Sequence, residues 1–190
     1  KPYSIILEPF GRNTAPAITL GAIKALEKEI DPLILVLSSD HEIKDEKEFL
    51  KAIEKAIKYA EKGELVNFGV LPTKAETGYG YIKAEKTFSK EDNKGSKILK
   101  FTEKPNLETA KIFINDKRYT WNSGMFMFKT SSILNEVKKY TPDIFRYCKQ
   151  SINESKKDLD FQRLNFDSFS KCPNLSIDFA IMEKTSNGIV

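Results

Sequence analysis

Leu33-Ile34-Leu35-Val36-Leu37-Ser38-Ser39-Asp40-His41 decides the fold. Five apolar residues in succession, without polar alternation, read as a strand covered on both faces, the form typical of parallel sheets. A carboxylate follows shortly after the run, where open α/β sheets bind ligands outside the carboxyl ends of their strands. Upstream, residues 3–7 form a second short apolar run. Asn13-Thr14-Ala15-Pro16 then reads as a helix start: Asn13 or Thr14 can cap, Pro16 suits the first turn, and Ile18, Ala22 and Ala25 follow at helical spacing. Downstream, Phe49, Ile53, Ala56, Ile57 and Ala60 mark an amphipathic helix, with Gly63 placed to cap it and Leu65–Val70 as the next strand. This alternation predicts βαβ units and an α/β fold, a mostly parallel mixed sheet flanked by helices.

Past Val70 the texture changes. Residues 78–83 and 97–101 read as strands separated by a polar loop near Asn93-Lys94-Gly95. Leu107–Asn115 reads as a short helix, 125–128 as a core strand, and 132–140 as a helix ended by Pro142. Residues 151–160 are polar and read as a loop or an exposed helix end. With no repeat and no linker, residues 1–190 count as one domain.

Composition sets outer bounds. Hydrophobic residues make up 40% and charged residues 31% of 190, an ordinary globular balance. The formal charge of +4 is mild, and Lys44-Asp45-Glu46-Lys47-Glu48 shows the signs interleaved, which argues against a nucleic-acid face. No apolar stretch is long enough to span a bilayer. Cys148 and Cys172 lie far apart and form no metal-binding motif, so reduced thiols in a cytoplasmic protein are expected. The chain opens Lys1-Pro2-Tyr3 without an initiator Met or signal-peptide pattern, as a piece of something longer would. The sequence leaves a homo-oligomer open.

Four segments carry candidate chemistry. Asp40 is placed either to hold a Mg²⁺ ion, which favours oxygen ligands and often takes one or two carboxylates plus substrate phosphates, or to cap a turn. His41, the sole histidine, lacks the companions a zinc site needs. Glu103-Lys104-Pro105 follows a strand directly. The acid can accept hydrogen bonds from sugar hydroxyls while the ammonium offsets a phosphate, or both can be surface residues. Asn122, in Trp121-Asn122-Ser123-Gly124, offers donors and an acceptor to a sugar; the alternative is a turn around a buried Trp. Thr77-Gly78-Tyr79-Gly80-Tyr81 matches neither phosphate-loop pattern and reads locally as a hairpin or strand entry.

The order and wording of the motifs are more specific than any one of them. Glu8-Pro9 with Arg12-Asn13-Thr14-Ala15-Pro16-Ala17 comes first, then Ser39-Asp40-His41 and Glu76-Thr77-Gly78-Tyr79-Gly80-Tyr81-Ile82. Phe101-Thr102-Glu103-Lys104-Pro105, Trp121-Asn122-Ser123-Gly124-Met125-Phe126 and Ser176-Ile177-Asp178-Phe179-Ala180-Ile181-Met182-Glu183-Lys184 follow. In these the chain resembles the bacterial mannose-1-phosphate guanylyltransferases, the long form often fused to a mannose-6-phosphate isomerase domain. The resemblance runs from near the first residue to near the last. It implies a Rossmann-like (GT-A-like) nucleotidyltransferase fold that makes GDP-mannose and pyrophosphate from GTP and mannose 1-phosphate with Mg²⁺. It also implies that Glu8, Arg12, Asn13 and Thr14 lie against the guanine and that Asp40 helps hold the metal. Gly80, Glu103 and Asn122 would contact the sugar, and Lys104 would face its phosphate. Asp178 and Glu183 fall in a family motif without an assigned role. Two departures accompany the match. The family's glycine-rich, Arg-containing triphosphate loop does not precede Glu8, and its second metal-binding Asp is expected beyond Val190. The chain by itself is therefore expected to be inactive. Ser38-Ser39 stands where the family usually has Pro-Ala. The alternatives are a related enzyme with another base or sugar, and a non-catalytic sugar-nucleotide-binding module.

Overall fold

The computed structural model describes residues 2–89 and 94–190. In chain order the elements are β1 (Ile5–Leu7), α1 (Thr14–Ala25), β2 (Leu33–Val36), α2 (Glu46–Ala60), β3 (Leu65–Val70), β4 (Tyr81–Ala84) and β5 (Ile98–Thr102). There follow α3 (Leu107–Asn115), β6 (Tyr119–Lys129), α4 (Thr130–Tyr140), α5 (Pro142–Asn153), β7 (Lys156–Asp158), β8 (Phe161–Arg163), α6 (Phe166–Ser170), a π-helical turn at Asp178–Met182, and β9 (Gly188–Ile189). Asn93 of the expected polar loop lies outside the described residues. The chain divides into two compact units, one of residues 2–32 and 133–184, the other of 33–132 and 185–190.

In the first unit a small three-stranded sheet runs in the order β1-β8-β7, with β1 parallel to β8 and β7 and β8 forming a hairpin. The core of this unit is helical: Leu20 and Ala22 of α1, Ile133 and Val137 of α4, Ile144 and Cys148 of α5, Phe169 of α6, and Ile181 of the π turn are all buried. Pro142 does not simply end a helix. At the first position of α5 its missing N–H costs nothing, because that donor has no intrahelical partner. The polar stretch 151–160 begins as a helix end, residues 151–153 closing α5 with Ser151 and Ile152 buried rather than exposed, and continues into the strand β7 rather than a loop.

The second unit holds a six-stranded sheet ordered β5-β4-β6-β3-β9, with β2 also paired to β6. The sheets are mixed and flanked by helices, as an α/β fold requires, but they are not mostly parallel. Among the described residues of this unit only β3–β9 is parallel; β2–β6, β3–β6, β4–β5 and β4–β6 are antiparallel. The physical reason is β6, an eleven-residue strand that takes three neighbours and opposes each of them. The apolar run of β2 marked a strand correctly, but it pairs antiparallel with β6 and is only half-buried. α2 is capped by Asp45, whose carboxylate accepts the Glu48 N–H at 3.0 Å, and packs Ala56 and Ala60 against Val66, Phe68, Met125 and Met127. On another face Tyr81, Tyr119 and Trp121 pack with Ala110 and Phe113 of α3.

Candidate functional site

The point of interest in the second unit is a gap in the hydrogen-bond ladder. Tyr81–Lys83 of β4 pair with Trp121, Thr120 and Tyr119, while Leu33–Val36 of β2 pair with residues 129–126. The carboxyl end of β2 thus faces the amino end of β4 across the middle of β6. There β6 carries surplus chain. From Asn67 to Gly69 β3 advances two residues, while the matched span of β6, Phe126 to Asn122, advances four. The bulge holds Ser123 and Gly124, and Gly124 has φ +70°, a conformation that suits glycine. A strand end meeting a change of partners is the kind of crevice that sheet proteins use for ligands.

The segments flanking the gap converge on it. Gly80 precedes β4 and accepts the Asn122 N–H at 2.8 Å; beside it, the Tyr79 carbonyl accepts the Lys104 N–H at 3.2 Å. The approach is ordered by Glu76, whose carboxylate takes the Thr77 and Gly78 N–H groups and sits 3.0 Å from the Lys74 ammonium. The bond from Lys74 is the main reason the Glu76 carboxyl lies below its ordinary pKa. Glu103 lies over Gly80, close enough that a Cβ there would come within 2.6 Å of Oε2 and 2.9 Å of Phe101 Cζ. Glycine is what allows the carboxylate to occupy that place. Lys104 Nζ is 3.8 Å from Glu103 Oε1, and Lys104 itself holds φ +43°, costly for a residue with a Cβ. From the other side, Ser38 Oγ stands 3.8 Å from where a Cβ on Gly124 would be. Asp40 is two residues further, within about 7 Å of chain, on an exposed turn.

Gly80, Glu103, Lys104 and Asn122 are therefore brought together, with Asp40 on the segment that enters from β2. A lone carboxylate fits Mg²⁺, which takes much of its shell from water and phosphate. Among the described residues no group of three or more His, Cys, Asp or Glu side chains gathers as a protein cage.

Glu8, Arg12, Asn13 and Thr14 belong to the first unit and form their own cluster. Asn13, at φ +67°, caps α1 by accepting the Thr14 N–H, and the Thr14 hydroxyl accepts the Ile177 N–H at 2.8 Å. Arg12 donates through Nη2 to the Ser170 carbonyl at 2.6 Å and lies 4.8 Å from the Phe10 ring centroid. Its Nε is buried without a hydrogen-bond partner among the described residues. Burial raises the Glu8 carboxyl above its ordinary pKa, and the hydrogen bond from the Arg12 amide partly opposes that. In the same unit, Cys148 and Cys172 face each other at 3.8 Å between sulfurs as free, buried thiols.

Sequence reading missed Asn67. It lies in β3, is 1% exposed, and donates from Nδ2 to Asn122 Oδ1 at 2.7 Å. A single polar residue inside an apolar strand gives no warning of what it faces.

The nucleotidyl transferase family model matches residues 2–167. The chain is 49% identical over 189 residues to a mannose-1-phosphate guanylyltransferase of Salmonella montevideo, covering 98% of this chain and 40% of that protein. It is 47% identical over 190 residues to the xanthan biosynthesis protein XanB of Xanthomonas campestris pv. campestris, again covering 40% of the relative. Among solved structures, mannose-6-phosphate isomerase from Helicobacter pylori superimposes with a TM-score of 0.84 at 34% identity, covering 97% of this chain and 70% of that one. The chain thus spans about two fifths of the length of the curated relatives it matches.

Proposed function

The chain belongs to the nucleotidyl transferase family, and on that footing we propose that the protein it comes from forms GDP-mannose and pyrophosphate from GTP and mannose 1-phosphate. The observation that carries this reading is the convergence of Gly80, Glu103, Lys104 and Asn122 at the gap in the β6 ladder. A bare backbone, a carboxylate, an ammonium and a carboxamide in one place suit a sugar phosphate: acceptors and donors for hydroxyls, a cation for the phosphate.

In this reading an oxygen of the sugar phosphate attacks the α-phosphorus of GTP in line, a P–O bond forms, and pyrophosphate leaves with the electrons of the bond that breaks. The enzyme forms no covalent intermediate; it supplies positioning and charge. Glu103 and Asn122 orient the sugar, and Lys104 bears on its phosphate. Glu8, Arg12, Asn13 and Thr14 serve the guanine, Arg12 by bracing the segment through its bond to the Ser170 carbonyl. Asp40 contributes a carboxylate to Mg²⁺, which would neutralise phosphate charge when bound. The product would supply polysaccharide synthesis, and we place the protein in the cytoplasm. Support for the mannosyl and guanylyl choice comes from the Salmonella relative, a mannose-1-phosphate guanylyltransferase.

Steady-state kinetics on the native protein test the reading, each substrate varied in turn against a panel of nucleotides and sugar phosphates. Turnover should be highest with GTP and mannose 1-phosphate. Asp40→Asn should cut activity sharply, with added Mg²⁺ restoring only part. Lys104→Met removes one charge-assisted contact, worth about 1.5–3 kcal/mol or roughly ten- to a hundredfold in kcat/KM for mannose 1-phosphate. Its KM for GTP should hardly move. Wild-type kinetics in both variants would defeat the site assignment, and preference for another pair would defeat the substrate assignment.

A further inference from the structure

Cys148 and Cys172 are the chain's two cysteines, and the fold of the first unit brings them together from 24 residues apart. Cys148 lies inside α5 and is fully buried. Cys172 lies in the stretch that follows α6 and is 2% exposed, yet its neighbours Lys171 and Pro173 both face solvent. The sulfurs stand 3.8 Å apart as free thiols. A disulfide sets its sulfurs about 2 Å apart, so the pair has less than that again to close.

The stretch that carries Cys172 also holds the segment assigned to the guanine. Arg12 Nη2 donates to the Ser170 carbonyl at 2.6 Å, the Ala15 N–H to the Leu175 carbonyl at 3.1 Å, and the Ile177 N–H to the Thr14 hydroxyl at 2.8 Å. Cys148 Sγ in turn lies 3.7 Å from the Pro16 carbonyl, as a donor to it. Both halves of the pair are thus tied to residues 12–16. The two thiols also differ in acidity. A hydrogen bond from Cys148 holds Cys172 below the ordinary thiol pKa, helped by the charge of Arg12 and opposed by burial and Glu8. The same bond, together with burial, pushes Cys148 up. Cys172 is the better thiolate and Cys148 the better proton source.

We propose that Cys148 and Cys172 are a modification site, which hydrogen peroxide converts to an intramolecular disulfide that loosens the hold of residues 170–177 on the Arg12–Ala15 segment. The Cys172 thiolate attacks one peroxide oxygen: an S–O bond forms, the O–O bond breaks, and hydroxide leaves with its electron pair, giving a sulfenic acid. The Cys148 sulfur then attacks the Cys172 sulfur. The S–S bond forms, the S–O bond breaks, and the departing hydroxide takes the Cys148 proton as water. The first hydroxide takes up the proton that Cys172 had released. Two electrons pass from the sulfurs to the peroxide. Closing the pair displaces residue 172, and with it the Ser170 and Leu175 carbonyls that hold Arg12 and Ala15. Formation of the bond stands by itself; its bearing on the nucleotide rests on the reading given under Proposed function.

The test treats the native protein with hydrogen peroxide and maps its peptides without reduction. The intact chain should lose the mass of two hydrogen atoms, the peptides of Cys148 and Cys172 should be joined, and dithiothreitol should separate them. Cys148→Ala should stop at a sulfenic acid on Cys172 that dimedone captures, and Cys172→Ala should give no dimedone adduct. In the oxidised wild type KM for GTP should rise at least threefold and KM for mannose 1-phosphate stay within twofold, both returning on reduction. The wild-type map decides the bond whether or not either variant folds. Two thiols still open to alkylation after peroxide, or a link between two copies of the chain, would overturn the disulfide. A disulfide with KM for GTP unchanged would leave the bond and overturn its effect on the nucleotide segment. If the panel shows a substrate other than GTP, the reaction is overturned, while the peptide map still decides the disulfide.

Discussion

Asp116 and Arg118 form a local clamp where α3 gives way to β6. The Asp116 carboxylate accepts from Arg118 Nε at 3.0 Å and Nη2 at 2.7 Å, and from the Arg118 backbone N–H at 3.0 Å. The hydrogen bonds from the guanidinium chiefly lower the Asp116 pKa to about 2. A carboxyl with a depressed folded pKa adds stability above its unfolded value and loses it as pH falls through the folded one. Asp116→Asn should therefore melt slightly below wild type at pH 7, by about 2 °C given the exposure of the pair. That difference should shrink between about pH 4 and pH 2 and vanish below. Melting curves across that range check it, and a constant difference would mean the clamp does not titrate. At this scale the sequence was informative where one residue type has few uses. Gly80 was picked out by its motif, and the close approach of Glu103 explains why glycine stands there. Asn67 left no such mark.

At the scale of elements, the runs that built β2, α2 and β3 were legible because each carries a long apolar pattern of one period. Strand direction was not, since an apolar run reads the same whether its neighbour is parallel or antiparallel. β6 was read only from Met125 onward, because Asn122-Ser123-Gly124 looks like a turn; the chain instead bulges there and carries on as strand. Pro142 was read as a stop when it was also a start, and the short hairpin of β7 and β8 is too polar to announce itself. The bulge makes its own prediction. Gly124→Ala meets no hard contact, with Ser38 Oγ at 3.8 Å, but it forces a Cβ into φ +70°. The cost should be about 1–2 kcal/mol, or a few degrees in Tm. Since Gly124 N donates to Asn122 Oδ1 at 3.0 Å, KM for the sugar phosphate should rise more than that for the nucleotide. A variant that loses stability but leaves both KM values in place would separate the bulge from recognition.

For the molecule as a whole, both compact units are discontinuous in sequence: the first is closed by residues 133–184, the second by 185–190. The closing segment of the second unit is short but well buried. Leu65 N–H donates to the Asn187 carbonyl, Ser96 and Val190 exchange backbone bonds, and Ile189 and Val190 are 8% and 9% exposed. Ending the chain at Lys184 should remove about 3–6 kcal/mol of apolar burial and leave the β3 edge open. Denaturant melts should show the loss as a lower midpoint, and an unchanged midpoint would mean β9 is dispensable. The surplus in β6 also bears on descent. Strand side chains alternate with a period of two, so an insertion of two residues leaves both halves of β6 facing as they did without it. An insertion of one would have exchanged the two faces of half the strand, and since Met125, Phe126, Met127 and Phe128 are all buried, each would have met the packing built for its neighbour. A lineage can therefore gain or shed the surplus in β6 by a single two-residue insertion or deletion that leaves the facing of both halves unchanged. Two descendants can then superimpose almost everywhere and still differ in whether the gap is there at all.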